Sequence, residues 1–261
     1  MCHAHDSEPP HLPADLALPR IAGAAAAEPL ELQSADGGRF SAALAESPDP
    51  AGPAVVLLPD VRGLHPFYIR LAERFADAGH HAVAIDYFGR TAGLGPRDEE
   101  FEYMPHVEQT RPETIQLDAR TALVALQERT GAIGAVSVGF CFGGAQSFLA
   151  GTAPALGLDA VVGFYGALAS PRLGPAAPLH HAEEIRCPVL GLFGGADQGI
   201  PVEQVKEFES RLQAAGVPQE IVIYPDAPHS FFDRRFEEHA DACEDAWRRV
   251  LRFIRAAGTP A

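Results

Sequence analysis

A cysteine set between glycines is the strongest sign of chemistry in this sequence. Residues 135–144 begin as an apolar, β-branched run, pass Gly139, present Cys141 and reach two further glycines before a helix-like stretch. This G-x-C-x-G order predicts a strand, a very tight turn and a helix, which is the pattern of a nucleophile elbow. Glycine is needed there because the turn leaves no space for a Cβ, and a helix N-terminus favours a thiolate. The motif alone is equally compatible with a buried structural cysteine.

An acidic residue and a histidine follow Cys141 in the chain, and each comes just after a predicted strand. Asp197 follows the apolar residues 188–195, and His229 follows residues 220–224. Because the carboxyl ends of parallel strands meet at one edge of a sheet, we expect the three side chains to lie together. Cys141 would attack a carbonyl carbon, His229 would take up and return the thiol proton, and Asp197 would hold the imidazole. Asp197 also fits a helix N-cap, and His229 a surface loop.

Two backbone N–H groups are expected to face the negative oxygen that forms during such an attack. Phe142 is one candidate donor because it stands at the head of the predicted elbow helix. Val61 is the other, in the loop that follows the continuous apolar run of residues 54–58. That run predicts a strand buried on both faces, as in a parallel sheet.

The residues that could do chemistry sit within a regular alternation of predicted strands and helices. This order predicts an α/β fold with a doubly wound, mostly parallel sheet and helices on both faces. Residues 28–261 are predicted to be a single domain, preceded by a flexible tail of residues 1–27 that is rich in proline, alanine and histidine. Outside the elbow, the predicted strands are residues 30–33, 39–44, 54–58, 81–86, 160–166, 188–195 and 220–224, and the predicted helices are residues 67–78, 110–130, 202–214 and 241–256.

A long loop and the helix after it bear on the entrance to the site. Residues 92–109 form most of a polar loop, and loops of this length are typically lids, binding loops or disordered segments. Residues 110–113 (Thr-Arg-Pro-Glu) then predict a capping box with proline in the first turn of the next helix.

Composition argues against several classes of partner. The formal net charge is −15, and Lys206 is the only lysine, so nucleic acid and anionic membranes are not expected partners. No apolar run approaches the length of a membrane span, and the N-terminus lacks the basic and apolar regions of a signal peptide. Four widely spaced cysteines without C-x-x-C fit a reducing compartment. We therefore expect a cytoplasmic protein, without a metal because the paired histidines lack a third ligand.

Several segments resemble the dienelactone hydrolase family of α/β-hydrolases, whose nucleophile is a cysteine in G-x-C-x-G. The matching residues are 85–90, 139–144, 193–197 and 224–231, and the likeness runs from about Leu30 to the C-terminus. In that fold the triad follows the order nucleophile, acid, histidine, as Cys141, Asp197 and His229 do here. The resemblance implies hydrolysis of an enol-lactone or ester through an acyl-thioester on Cys141, without a metal or organic cofactor. It also implies an anionic small-molecule substrate, with Arg90 at one of the positions that hold the substrate carboxylate.

Two departures from the family pattern surround the predicted site. Asp60 stands where the family carries a glutamate that is implied to help generate the thiolate, so its reach is shorter by one methylene. Residues 232–234 (Phe-Asp-Arg) displace the family's second substrate arginine by one position, and Arg62 adds a cation in the loop after residues 54–58. Asp60, Arg62 and Arg90 are therefore predicted to serve thiol activation or substrate binding.

Two other functions stay open on sequence grounds. One is a general carboxylesterase or thioesterase with a different substrate. The other is a non-catalytic redox or ligand-binding protein in which Cys141 is an oxidisable thiol. The expected oligomeric state is a monomer or a small homo-oligomer.

Overall fold

One eight-stranded sheet runs through the protein. The computed structural model describes residues 7–17, 26–98, 100–169, 173–233 and 235–258. The strands are β1 (Glu28–Gln33), β2 (Arg39–Ala45), β3 (Ala54–Leu58), β4 (Ala82–Ile85), β5 (Ala135–Phe140), β6 (Ala160–Phe164), β7 (Val189–Gly194) and β8 (Gln219–Tyr224). They lie in the order β1-β2-β4-β3-β5-β6-β7-β8. The β1–β2 and β2–β4 pairs are antiparallel and the others are parallel, which confirms the predicted mostly parallel sheet.

Helices cover both faces of this sheet. They are α1 (Pro66–Asp77), α2 (Gly89–Ala92), α3 (Met104–Val107), α4 (Pro112–Thr130), α5 (Phe142–Ala150), α6 (Val202–Ala214) and α7 (Ala240–Ala257). In β3, Val55 and Leu57 pack into the apolar cluster that holds α1 and α7, whereas Val56 and Leu58 pack into the cluster that holds α4. The run is continuously apolar because both of its faces are buried. Within the described ranges, no helix is long and apolar enough to cross a bilayer.

The strand order places the site. The chain passes from β3 through α1 to β4 on one side, and then returns through α4 to β5 on the other side of β3. The carboxyl ends of β3 and β5 therefore meet at a topological switch point, where α/β sheets bind ligands. Val61 follows β3 and Cys141 follows β5, and Leu58 and Gly139 are paired in register just before them.

Residues 7–17, part of the predicted flexible tail, lie against the domain. Ser7 is buried, the indole N–H of Trp247 donates to the Pro10 carbonyl at 3.1 Å, and Arg248 pairs with Asp15 at 2.7 Å. A proline-rich composition does not reveal such contacts, whose partners lie more than 200 positions away in the sequence, and the flexibility of residues 1–27 stays a prediction. The remainder of the tail up to residue 25 lies outside the described residues.

The predicted capping box before α4 does not form. The N-cap is Arg111, which makes no side-chain capping bond, and Pro112 occupies the first helical turn. The Thr110 hydroxyl instead donates to the Val107 carbonyl at 2.7 Å. That carbonyl belongs to the last turn of α3, a helix that the sequence pattern did not predict. Because it accepts the Thr110 hydroxyl, the threonine side chain is not available to cap α4.

Candidate active site

Cys141 occupies a strained position between β5 and α5. Its φ is 54° and its ψ is −112°, in a region that residues with a Cβ rarely adopt. A Cβ added at Gly139 would lie 1.9 Å from the Gly143 carbonyl oxygen, and one added at Gly143 would lie 2.0 Å from the Leu58 carbonyl oxygen. Both glycines are therefore required for the helix to approach the sheet this closely, as the motif predicts.

The Asp197 and His229 side chains lie in contact. Nδ1 of His229 is 2.6 Å from Oδ2 of Asp197, and the other carboxylate oxygen accepts the Gly199 N–H at 2.8 Å. A carboxylate at Nδ1 fixes the neutral imidazole with its proton there, which leaves Nε2 as a base. Asp197 does not cap α6, whose N-cap is Pro201. The structure thus favours the carboxylate–imidazole interpretation over the helix-cap interpretation.

A cavity of about 450 Å³ brings Cys141 and His229 together with Val61 and Phe142, the two predicted oxyanion donors. Its size is within the range of small-molecule sites. A second groove of about 640 Å³ is lined by Asp197 and also by His229, but not by Cys141. The remaining residues that line the 450 Å³ cavity are Ala145, Tyr165, Ala167, Leu173, Gly199 and Ile200.

Backbone strain is concentrated at this site. In the described ranges, the non-glycine residues with positive φ are Cys141, Tyr165 at 37° and Ser230 at 58°. Tyr165 lines the cavity with its ring centroid 5.0 Å from that of His229, and Ser230 directly follows His229. Such conformations cost on the order of 1–3 kcal/mol each and persist where the surrounding structure holds them. The strain marks the same site as the motif does, by an independent observation.

The loop after β3 is held by Tyr87, which comes soon after β4. Its buried hydroxyl hydrogen-bonds with the carbonyl oxygens of Pro59 and Asp60, the latter at 2.9 Å. The C=O and N–H of a trans peptide point in opposite directions, so fixing the Asp60 carbonyl also fixes the direction of the Val61 N–H. The Tyr87 ring meets the Phe142 ring edge to face at 5.4 Å. Burial raises the pKa of Tyr87 well above its ordinary value, which keeps the hydroxyl a neutral donor.

Comparison with known proteins identifies the family to which the chain belongs. The profile of the Dienelactone hydrolase family matches residues 40–258. The chain belongs to this family. A carboxymethylenebutenolidase from Rhodococcus opacus is 32% identical over 230 residues, covering 80% of this chain and 83% of its own. A Methylorubrum extorquens protein, provisionally named carboxymethylenebutenolidase, is 31% identical over 213 residues, covering 79% of this chain and 72% of its own.

A solved structure supports the same membership. A Klebsiella pneumoniae protein, provisionally described as a dienelactone hydrolase, superposes with a TM-score of 0.73 at 27% identity and covers 88% of this chain and 99% of its own. The α/β-hydrolase fold predicted for the chain is therefore confirmed. As a member of the dienelactone hydrolase family, the protein is a carboxylic ester hydrolase.

A buried ionic group, here called the Arg62 cluster, consists of Ser7, Asp60, Arg62 and Asp233. Nη2 of Arg62 lies 2.8 Å from Oδ2 of Asp60 and also pairs with the Asp233 carboxylate, which accepts the Ser7 hydroxyl. Neither Asp60 nor Arg62 lines the cavity. Both residues are predicted to serve thiol activation or substrate binding, but in the structure the Arg62 guanidinium pairs with both Asp60 and Asp233.

Arg62→Leu is expected to destabilise the fold by about 3–5 kcal/mol, because it leaves two buried carboxylates without their cation. Burial raises the pKa of Asp233 and Arg62 opposes that shift, so the variant should take up a proton there more readily. The difference in free energy of unfolding between the variant and wild type should therefore shrink as pH falls from 8 to 5. Urea unfolding at both pH values measures this. Arg211→Leu, which breaks an exposed i,i+4 pair with Glu207, is the control and should cost less than about 0.5 kcal/mol; equal losses would contradict the prediction.

Arg90 joins three elements instead of facing the cavity. Its guanidinium makes hydrogen bonds of 2.9 and 2.7 Å with Asp118 of α4 and of 2.7 and 3.0 Å with Asp36 in the β1–β2 turn. A Cβ at Gly38 would lie 2.2 Å from Nη1 of Arg90. The family resemblance predicts that Arg90 binds a substrate carboxylate, but in the structure its guanidinium is paired with two carboxylates of the protein itself.

The long loop after β4 is attached to the domain by a buried ion pair. Nη2 of Arg97 lies 2.7 Å from Oδ2 of Asp86, and its guanidinium lies over the Phe101 ring at 4.6 Å. Phe101 in turn stacks on His106 with ring centroids 5.2 Å apart. From residues 92–98 and 100–109, no side chain lines the 450 Å³ cavity.

Sequence reasoning missed two tyrosines of the site. Tyr165 directly follows β6, and Tyr87 comes two residues after β4. The rule that ligands bind beyond the carboxyl ends of parallel strands would have found both, had it been applied to aromatic residues as well as to nucleophiles, acids and histidines. Arg234, the displaced arginine of the family comparison, lies outside the described residues.

Proposed function

We propose that the protein hydrolyses carboxylic esters or lactones through an acyl-thioester on Cys141. One observation carries this proposal: Cys141, on its strained elbow, shares a cavity with His229, whose Nδ1 is held 2.6 Å from Asp197. The name of the Rhodococcus relative denotes a lactone substrate, which fits the ester chemistry proposed here.

The reaction proceeds in two halves. In the first, Nε2 of His229 takes the thiol proton and the sulfur of Cys141 attacks the carbonyl carbon. The tetrahedral intermediate collapses to the thioester, and the imidazolium gives its proton to the departing alkoxide. In the second, His229 takes a proton from water, the hydroxide attacks the thioester, and the carboxylic acid leaves as the thiol is restored. Asp197 keeps the imidazole in the required tautomer and stabilises it when charged.

The negative oxygen of each tetrahedral intermediate is placed against the backbone N–H groups of Val61 and Phe142. Phe142 heads α5, where free N–H groups and the helix dipole favour negative charge. Val61 belongs to the loop that Tyr87 holds by its neighbouring carbonyl. Both residues line the same cavity as Cys141, which supports this role.

Tyr87→Phe is expected to lower kcat by about 10-fold or more with little change in KM, because the Val61 N–H loses its alignment with an oxyanion that exists only after attack. The variant also leaves the Asp60 carbonyl without its donor, at a cost of about 1–3 kcal/mol in stability. Steady-state kinetics and urea unfolding measure the two effects. Tyr224→Phe removes a hydroxyl bonded to Asp245 at a residue that does not line the cavity of Cys141; it is the control and should leave kcat unchanged. A Tyr87→Phe defect confined to KM would contradict the prediction.

Trapping the thioester tests the proposed function. With p-nitrophenyl butyrate, acid quenching in the first turnovers followed by intact mass and peptide analysis should show one butyryl group on the peptide of Cys141. The buried thiols serve as internal controls, since burial raises the pKa of Cys187 to about 11 and of Cys243 to about 12. Both should stay unmodified in a Cys2→Ser background, which removes the remaining thiol. Steady ester turnover with the acyl group on a serine, or with no Cys141 adduct at any time, would overturn the proposal.

A further inference from the structure

The cavity beside Cys141 is walled mainly by hydrocarbon. Its apolar lining residues are Val61, Phe142, Ala145, Ala167, Leu173 and Ile200. Among the described lining residues, His229 is the one side chain that could carry a positive charge, and Asp197 already faces its Nδ1. An acyl group that reaches Cys141 therefore contacts methyl, methylene and ring carbons.

Three arginines on the described parts of the loops around this cavity are already paired. Arg62 is neutralised by Asp60 and Asp233. Arg90 is neutralised by Asp36 and Asp118, and Arg97 lies against Asp86. In the described ranges, none of the three lines the cavity. A substrate carboxylate would have to compete with a protein carboxylate for each of them.

The electrostatic cost of a charged acyl group follows from these contacts. A carboxylate moved from water into an apolar cavity without a cation or hydrogen-bond donors loses several kcal/mol of solvation. The net charge of −15 adds a long-range repulsion that salt can screen. A neutral acyl chain meets neither cost and gains from the burial of its apolar surface.

We propose, as a refinement that rests on the hydrolase function above, that the natural substrates are esters, lactones or thioesters of uncharged, apolar acyl groups. This differs from the anionic substrate that the family resemblance implies. The side chains that select the acyl group are then Ala167, Leu173 and Ile200, while the Arg62 cluster and Arg90 hold the surrounding loops together.

A matched pair of acyl groups tests the proposal on the whole chain, including Arg172 and Arg234, which lie outside the described residues. p-Nitrophenyl valerate and the mono-p-nitrophenyl ester of glutaric acid differ only in a terminal methyl or carboxylate. We expect kcat/KM to be about 100-fold or more higher for the valerate. The preference should persist in 0.5 M NaCl, where the net charge of the protein is screened but the local loss of solvation is not. The methyl ester of the glutarate substrate, which is larger but neutral, should be cleaved nearly as well as the valerate.

Ala167→Arg provides the reciprocal test, since Ala167 is a half-buried residue of the cavity wall. It should lower the ratio of kcat/KM for the valerate ester to kcat/KM for the glutarate ester by about 10-fold or more, because the introduced guanidinium can form one ion pair with the glutarate carboxylate. The neutral control Ala167→Met should leave this ratio unchanged. Equal rates for the two esters in high salt, or faster cleavage of the glutarate ester, would overturn the proposal. An unchanged ratio in Ala167→Arg would show that the acyl group binds elsewhere. If neither ester is cleaved and no Cys141 adduct forms, the hydrolase function itself fails.

Discussion

Cys141→Ala is expected to lower kcat/KM for ester hydrolysis by about 10⁴-fold or more, because Cys141 is the one thiol among the described residues that line the cavity with His229, and no serine or threonine is among them. The oxyanion donors remain in place, so a small residual rate above the uncatalysed reaction should survive. The measurement is the initial rate with p-nitrophenyl valerate, with enzyme concentration raised until the residual rate can be quantified.

Two comparisons separate this loss from damage to the fold. Cys141→Ala should unfold at nearly the wild-type urea concentration, since alanine can retain the φ of 54° as cysteine does and removes only the sulfur. Cys141→Ser should also be strongly impaired, because a hydroxyl is a far weaker acid than a thiol and this arrangement has only His229 to take its proton. An alanine variant within tenfold of the wild-type rate would show that Cys141 is not the nucleophile.

The elements of the fold were predictable because their signals are local. The β3 strand and α6 have the bounds that hydrophobic periodicity predicts, residues 54–58 and 202–214. The bounds of the other strands differ from the predicted bounds by one or two residues. The prediction follows the apolar run, whereas a strand in the structure ends where its ladder hydrogen bonds end. The short helices α2 and α3 were hidden inside a polar loop, because one-turn helices have too few residues to show a period.

The meeting of the proposed catalytic residues was predictable for a different reason. Cys141, Asp197 and His229 are far apart in sequence, but each follows a strand of one parallel sheet, and parallel strands end at the same edge. The roles of Arg62 and Arg90 did not follow in this way. Their partners come from other loops and from residues 7–17, and charge alone does not tell which of several carboxylates an arginine will meet.

The orientation of the Tyr87 side chain could not be predicted from the sequence either. The sequence places it soon after β4, beside the predicted site. Its function depends on where the hydroxyl points, namely at the carbonyl of Asp60, and the sequence contains no signal for that direction. Side-chain geometry set by tertiary packing is therefore the part of this site that required coordinates.

Asp197→Asn is expected to lower kcat by about 10³–10⁴-fold while the fold stays intact, and the contacts of the carboxylate explain why. One oxygen accepts the Gly199 N–H at 2.8 Å, so the amide oxygen of asparagine takes that place. The amide NH₂ must then face Nδ1 of His229, where it can only donate. The imidazole responds by carrying its proton on Nε2, which removes the base from the side of Cys141. Steady-state kinetics measures the loss, and Asp226→Asn, an exposed change in the neighbouring groove, should stay within twofold of wild type.

A double-mutant cycle shows whether Asp197 acts through the imidazole. His229→Ala alone should lower kcat by an amount similar to Asp197→Asn or larger, since it removes the base itself. In the His229→Ala background, Asp197→Asn should have almost no further effect, because the tautomer it disturbs no longer exists. A purely structural carboxylate would behave differently. Its loss would lower kcat by the same factor in the wild-type and His229→Ala backgrounds, and it would lower the urea midpoint in both. Additive losses in kcat would therefore contradict the triad, and a vanishing second loss would tie the carboxylate to the proton transfer at Nε2.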